Sequence, residues 1–386
     1  MAAALMDAGE VTAEACAATG LDDFGGDTFR EGLEVYCDAV SDESHLNELG
    51  TIAVRANVVG TLANRLKIVE HRKQHPEIAD EVIDAPLVVI GMFRAGTTFL
   101  SRLLDQDPSN RALLSWESSD SVPPPTPEDF RQGPRLDAVR AGQQMLSAIN
   151  PAIDAVHHED AGEATECLSI LGQDFKSLVW EAVTNVPTYG KWLYETDMTS
   201  AYEHHHRVLQ LLQSGGVRGR WTLKTPGHAI ALDALTAVYP DAKLVLLHRD
   251  PVVLCASVCS LIRTLSGTFT DFDHGPYIAE HWPTMLELSV ERINAFRASR
   301  PDHAILDVQY ADLVRDPVHT VARIYEETGT VLSDSAAIAI ADHVAANPKG
   351  KFGTHRYDLA EFGLDAGEIA ERFAGYVERY DVVLER

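Results

Sequence analysis

The stretch Pro86–Leu100, PLVVIGMFRAGTTFL, limits what this chain can fold into more than any other. An apolar β-type run, Pro86 to Ile90, stops at Gly91; a loop carrying Arg94 and Gly96 follows; Thr97-Thr98 open an amphipathic helix with Phe99, Leu103 and Leu104 on one face. Strand, glycine loop and helix N-terminus together form an anion cradle, because free backbone N–H groups and the positive end of the helix dipole converge on one point. The pattern is GxxxxGTT, so Thr97 stands where a Walker A loop has its lysine. The cation is earlier, at Arg94, whose planar fork suits a phosphate or sulfate oxygen. The candidate anion-binding residues are therefore Arg94, Ala95, Gly96, Thr97 and Thr98.

With 386 residues the chain is long enough for a large core. Its 32 basic and 58 acidic residues leave a formal charge of −26. Such a balance argues against nucleic acid or an anionic membrane as partner, and suits one small anion held at a concentrated basic site. Five scattered cysteines, none in CxxC spacing, exclude a disulfide framework or zinc knuckle; Cys255 and Cys259, one helical turn apart, are expected to be buried thiols. The first basic residue is Arg30, so no charged n-region of a secretory signal is expected. No apolar run reaches the roughly 18 residues of a spanning helix. A cytoplasmic protein without a transmembrane segment is the expectation.

Alternating strand and helix patterns indicate an α/β fold, a parallel sheet flanked by helices. Residues 1–84 are expected to be a helical N-terminal region packed on the core, with helices from Thr28 to about Lys73 and apolar spacing near 3.6 from Leu46 to Ile68. Residues 85–386 are expected to hold the α/β domain, with a helical insertion at about 135–212. Further strands are expected at Arg220–Thr225, Leu244–Leu247 and Ala304–Val308, helices at Ala229–Val238, Val252–Leu261 and Pro317–Thr328, and a last helix running to Arg386. Leu113 to Thr126 reads as irregular, and its three consecutive prolines as an extended segment able to wall a cleft.

Two further places carry candidate chemistry. Arg249 ends the strand LVLLHRD, where doubly wound sheets bind ligands, and Ser257 follows eight residues later on the next helix. Taken alone, Arg249 is equally a salt-bridging arginine and Ser257 a helix-surface serine. Pro348–Gly353 (PKGKFG) brings Lys349, Gly350 and Lys351 into a flexible cationic loop suited to clasping a phosphate, though lysine-bearing loops are usually just solvated. His204-His205-His206 cannot all point one way on a helix and read as packing or surface residues rather than zinc ligands. Glu163 and Glu166 are read as three apart on one helix face, either orienting an acceptor or, more simply, facing water.

Together these segments resemble the sulfotransferases that use 3′-phosphoadenosine 5′-phosphosulfate (PAPS), most closely a broad bacterial group. FRAGTT stands at the family's 5′-phosphosulfate loop, Arg249 with Ser257 at its 3′-phosphate motif, and KGKFG at its late RKGxxG loop, with Pro348 in place of the arginine. Trp116-Glu117, Pro123–Pro125, Trp221–His228, His248–Pro251 and Gly353–Leu364 match the bacterial group in order along most of the chain. Phe93 and Ala95 replace the loop's usual proline and serine.

The resemblance implies PAPS as co-substrate, adenosine 3′,5′-bisphosphate as product, no metal, and a small or lipid-like hydroxyl acceptor. In-line sulfuryl transfer needs positive charge near the bridging oxygen and a base for the hydroxyl proton. Arg94 and the N–H groups of Gly96–Thr98 are the first source of that charge. Lys224 is the second, because a lysine in a KTP-like segment lines the site of related sulfotransferases. For the base, a glutamate shortly after the loop helix in tyrosylprotein- and heparan-type enzymes corresponds to Glu117; cytosolic small-molecule enzymes use histidine, which points to His157 and His158. A P-loop kinase or NTPase, and a non-catalytic nucleotide-binding protein of the same fold, are the competing readings.

Overall fold

A computed structural model of the chain describes residues 5–348, 351 and 358–385. At its centre is a five-stranded, all-parallel sheet: β1 (Leu87–Gly91), β2 (Asn110–Ala112), β3 (Arg220–Lys224), β4 (Lys243–His248) and β5 (Ile305–Gln309), in the order β2-β3-β1-β4-β5. Every residue of β1 is buried, as a continuous apolar run between two strands must be. Its register sets Leu87 beside Thr222 of β3 and Lys243 of β4.

The chain leaves β1 toward the β2 edge and leaves β4 toward the β5 edge. The adjacent ends of β1 and β4 are therefore the topological switch point, where open parallel sheets form a ligand crevice. The loop after β1 and Arg249 after β4 flank it.

The strands expected from the sequence are present, with ends shifted by a residue or two. β2 is an edge strand of three residues, too short and too polar to show a period. The last helix stops early: Ala374–Tyr380 ends where Asp381 turns into the left-handed region (φ 48°) and Val382 N donates to Val377 O. Asp381–Glu385 then runs back toward the end of β4. The helix Gly275–Ser299 carries Pro283 inside it, which breaks its sequence pattern.

The N-terminal region consists of α1 (Ala8–Thr19), α2 (Arg30–Glu43) and α3 (Glu48–Gln74). Asp7 caps α1 by accepting from Glu10 N, and Gly20 closes it with a φ of 70°. From α3, Val58, Leu62 and Leu66 enter a hydrophobic cluster that extends to Val382. Arg65 and Asp174 add a fully buried ion pair at 2.9 Å between α3 and the insertion.

The insertion is helical at Pro134–Ile149, Ala152–His157, Leu178–Thr184, Pro187–Glu195 and Thr199–Ser214. Glu163 and Glu166, however, do not share a helix. Ala164 bridges Leu114, and Thr165 N donates to Leu113 O, so this segment extends alongside the chain leaving β2. Residues Ser115–Ser119 form a short helix in the stretch read as irregular. The prolines do not line the main cavity: a Cβ on Gly215 would come within 2.0 Å of Pro125 O, so they lie against the end of the helix Thr199–Ser214.

His204 and His205 are buried packing residues, bonded to Gln173 Oε1 at 2.8 Å and Tyr239 OH at 2.7 Å. Burial lowers His205 to about 3. Cys255 and Cys259 are buried free thiols.

Candidate active site

The loop after β1 curls because two residues take positive φ, Arg94 at 70° and Gly96 at 98°, with Ala95 N donating to Met92 O at 3.1 Å. Gly96 is required twice over: its φ disfavours a side chain, and a Cβ would approach the Tyr310 ring to 2.5 Å. The helix α4 (Thr97–Leu104) starts immediately after it, so its unpaired N–H groups face the crevice. Ala95 is fully buried beneath the loop and presents no side chain to the cavity. The serine hydroxyl missing there is replaced by packing, while Phe93 stacks edge-on against Trp282.

Three of the expected residues form one cluster around this loop. Arg94 Nε donates to Ser257 Oγ at 2.9 Å, and Arg249 Nη1 donates to the carbonyl of Arg94 at 2.8 Å. The Arg249 guanidinium lies over the Tyr310 ring, 4.1 Å from its centroid. Ser257 is buried, so it is no surface serine.

Lys224, at the end of β3, is not solvated. Only 2 % of its side chain is exposed, and Nζ donates to Glu166 Oε1 at 2.7 Å and Thr98 Oγ1 at 3.2 Å. Thr225 Oγ1 donates to the second oxygen of Glu166 at 3.3 Å. The backbone sets this up, because Cys167 N donates to Lys224 O at 2.9 Å and brings the residue before it against the strand end. A buried ammonium beside a partly exposed carboxylate therefore adjoins the N-terminus of α4.

Glu117 sits elsewhere. Its side chain is fully buried, grips both Nη atoms of buried Arg111, and accepts from Leu114 N at 2.9 Å. It caps its own short helix and does not line the cavity, so the geometry gives it a structural post. His157 does line the cavity, with Nε2 3.1 Å from Glu159 Oε1. Burial pushes the Glu159 carboxyl up, but the His157 hydrogen bond and the charges of His157, Lys224 and Arg102 outweigh it, holding the group at about 2. So weak a base stays ionised at neutral pH and does not accept a hydroxyl proton readily. His158 turns to a side cleft, where Nδ1 is 3.5 Å from Asp154 Oδ1 and its carbonyl accepts from Arg102.

The cavity bounded by these groups holds about 540 Å³. Arg94, Thr98 and Arg249 give it polar lining, and Val179, Ala182, Leu261 and Leu265 give it apolar walls. The side cleft of about 300 Å³ joins Arg94 and Thr98 to Lys351, whose Nζ donates to Asn347 Oδ1 at 2.8 Å. Lys349 and Gly350 lie outside the described residues. Among the described residues, no group of three or more His, Cys, Asp or Glu is placed to hold a metal ion. Among them too, no helix is long and apolar enough to cross a membrane.

Fold and site thus define a P-loop-like α/β protein whose anion loop has a threonine at the Walker lysine position and carries its cation, Arg94, earlier. The chain belongs to the sulfotransferase family, whose family model matches residues 86–334. It is similar over nearly its whole length to two solved structures. Sulfotransferase STF9 from Mycobacterium avium has a TM-score of 0.89, at 33% identity over 98% of each chain. Sulfotransferase STF1 from Mycobacterium tuberculosis H37Rv has a TM-score of 0.86, at 37% identity over 96% of this chain and 99% of that one. A curated relative, the omega-hydroxy-beta-dihydromenaquinone-9 sulfotransferase Stf3 of Mycobacterium bovis, is 24% identical over 318 residues, 78% of this chain and 77% of its own. The protein is an enzyme, a sulfotransferase.

Proposed function

We propose that this enzyme moves the sulfuryl group of PAPS to the hydroxyl of an elongated, largely apolar acceptor, with Glu166 as the base. The observation that carries the reading is Glu166, which lines the cavity that the anion loop opens into and is paired at 2.7 Å, beside Thr98, with Lys224 of the small adjoining cleft. The loop N–H groups and Arg94 hold the 5′-phosphosulfate. Arg249, at the strand end on the far side of the switch point, takes the 3′-phosphate. In the reaction an acceptor oxygen–sulfur bond forms as the sulfur–oxygen bond to the 5′-phosphate breaks in line. The hydroxyl proton passes to the Glu166 carboxylate. The charge left on the phosphate is met by Arg94 and Lys224, cations already in place within a partly water-excluded site.

Glu166 is preferred to Glu117 because it reaches the cavity, and to His157 because its bond to Lys224, which also reaches Thr98, places it at the start of α4 where the anion loop ends. Its two oxygens accept from Lys224 and Thr225, which aims the carboxylate without burying it completely. The kinase reading lacks support in the loop, where Thr97 begins α4 in place of a phosphate-binding lysine.

Adenosine 3′,5′-bisphosphate tests the donor assignment. A ligand at a hundred times its Kd stabilises the folded state by about 2.7 kcal/mol, so the melting temperature is expected to rise by several degrees. The rise should persist in EDTA and should not be reproduced by Mg-ATP at equal concentration. No rise at millimolar bisphosphate would remove the donor assignment.

The apolar walls support a lipid-like acceptor, and the relative Stf3 is named for a lipid-type alcohol. A second chamber of about 260 Å³ shares Ser118, Ser119, Ser169 and Val179 with the lining of the main cavity, and α3 borders it with Asn57, Gly60 and Thr61. None of its lining side chains is charged, which suits an uncharged portion of the acceptor. A Cβ on Gly60 meets nothing within 4 Å, and the residue is in a helix interior. Gly60→Leu should therefore leave folding intact or improved, and fill the chamber. In a labelled-sulfate assay the KM for 1-dodecanol should rise about tenfold while that for 1-butanol stays constant. Equal KM changes for both alcohols would contradict this path for the acceptor.

A further inference from the structure

The segment after the last helix places a carboxylate on the arginine assigned to the donor's 3′-phosphate. Glu385 meets Arg249 edge-on, with Nε–Oε1 at 2.5 Å and Nη2–Oε2 at 3.0 Å. Arg249 Nη1 is meanwhile held by the carbonyl of Arg94. This is the two-pronged geometry with which a guanidinium grips a phosphate. The pair lies at the rim, with 12% of the Arg249 side chain and 33% of the Glu385 side chain exposed, so water and ligand can reach it.

The surrounding contacts show which partner is fixed. Arg249 stays in place through the Tyr310 ring and the Arg94 carbonyl, neither of which depends on Glu385. The segment is anchored at Val382, which is buried and donates its N–H to Val377 O. Beyond it, Val383 and Leu384 are about half exposed. The backbone there makes two side-chain hydrogen bonds, Val383 N to Gln309 Oε1 at 3.4 Å and Glu385 N to Asp250 Oδ2 at 2.9 Å. Little apolar surface holds Val383, Leu384 and Glu385 down, so the carboxylate can swing away at modest cost.

From this we infer that Glu385 is an internal anion standing in for the donor's 3′-phosphate: it neutralises Arg249 in the empty enzyme and must be displaced when the donor binds. The inference rests on the donor reading above and adds a competitor built into the chain. A carboxylate carries one negative charge, and a phosphate monoester approaches two at neutral pH with an additional acceptor oxygen. The phosphate therefore wins the guanidinium, but its affinity is reduced by the pair it breaks. A nucleotide without a 3′-phosphate breaks no such pair.

Titration calorimetry of the full chain with two probes, adenosine 3′,5′-bisphosphate and adenosine 5′-monophosphate, tests this. Glu385→Gln should tighten the bisphosphate about fivefold, the equivalent of one partly exposed ion pair, and leave the monophosphate unchanged. In an Arg249→Ala background the same substitution should give no gain. The inference is overturned if Glu385→Gln leaves the bisphosphate unchanged or weakens it, since Glu385 would then be a bystander or a prop for Arg249. It is overturned equally if both nucleotides tighten alike, or if the gain survives without Arg249. A wild-type chain that binds no bisphosphate would instead defeat the donor assignment itself.

Discussion

Glu166→Gln is expected to lower kcat by about 10²- to 10⁴-fold, the range a positioned general base supplies. Donor-product affinity should change far less, because glutamine keeps the shape and one oxygen able to accept from Lys224 Nζ. The contrast is Glu117→Gln. There the lost charge leaves buried Arg111 without its counter-ion, and breaking such a pair costs about 3–5 kcal/mol of stability. That variant should melt early, yet retain near-normal kcat per folded molecule. Denaturant melts and single-turnover rates on both variants separate the roles. If Glu117→Gln stops turnover at full stability while Glu166→Gln is active, the base assignment is reversed.

Arg94→Ala is the second large effect. Its guanidinium is the loop's own cation, tied to Ser257 at 2.9 Å, and it opposes the charge that develops on the leaving phosphate. Removing one preorganised group of this kind costs about 10²- to 10³-fold in kcat. Position 94 already takes a φ of 70° with a side chain, so alanine adds no backbone strain. Ser257→Ala should show a smaller loss in kcat, because it frees the guanidinium's aim without removing its charge. A kcat within tenfold of wild type for Arg94→Ala would transfer the main electrostatic role to Lys224.

The loop was legible in advance because its determinants are local. An apolar run stops at Gly91, a glycine sits at Gly96 where φ must be positive, and threonines open α4; all lie within one short stretch. β1 and β4 were legible for a similar reason, since a buried parallel strand needs a run of apolar side chains. Arg249 and Ser257 stood out only through the resemblance to the family's 3′-phosphate motif, and the structure brings both to the loop.

The base was not legible. Glu117 and Glu166 are both glutamates in polar surroundings, and nothing nearby in sequence marks one for burial against Arg111 and the other for Lys224. Lys224 and Glu166 are 58 residues apart, joined at the carboxyl end of β3. The helix Gly275–Ser299 was hidden by its internal proline, and the end of the last helix by a left-handed Asp381.

Read on its own, the chain determined its class: where the anion loop lies, which strands surround it, and that the loop's cation is an arginine. Short-range sterics and the period of apolar residues act between neighbours, so they are written in neighbouring letters. Only the tertiary structure decided which acid faces the cavity, where a second chamber opens against α3, and that Glu385 returns to Arg249. Those are matters of charge and burial between segments far apart in sequence, and packing alone sets which groups meet and which lose their water.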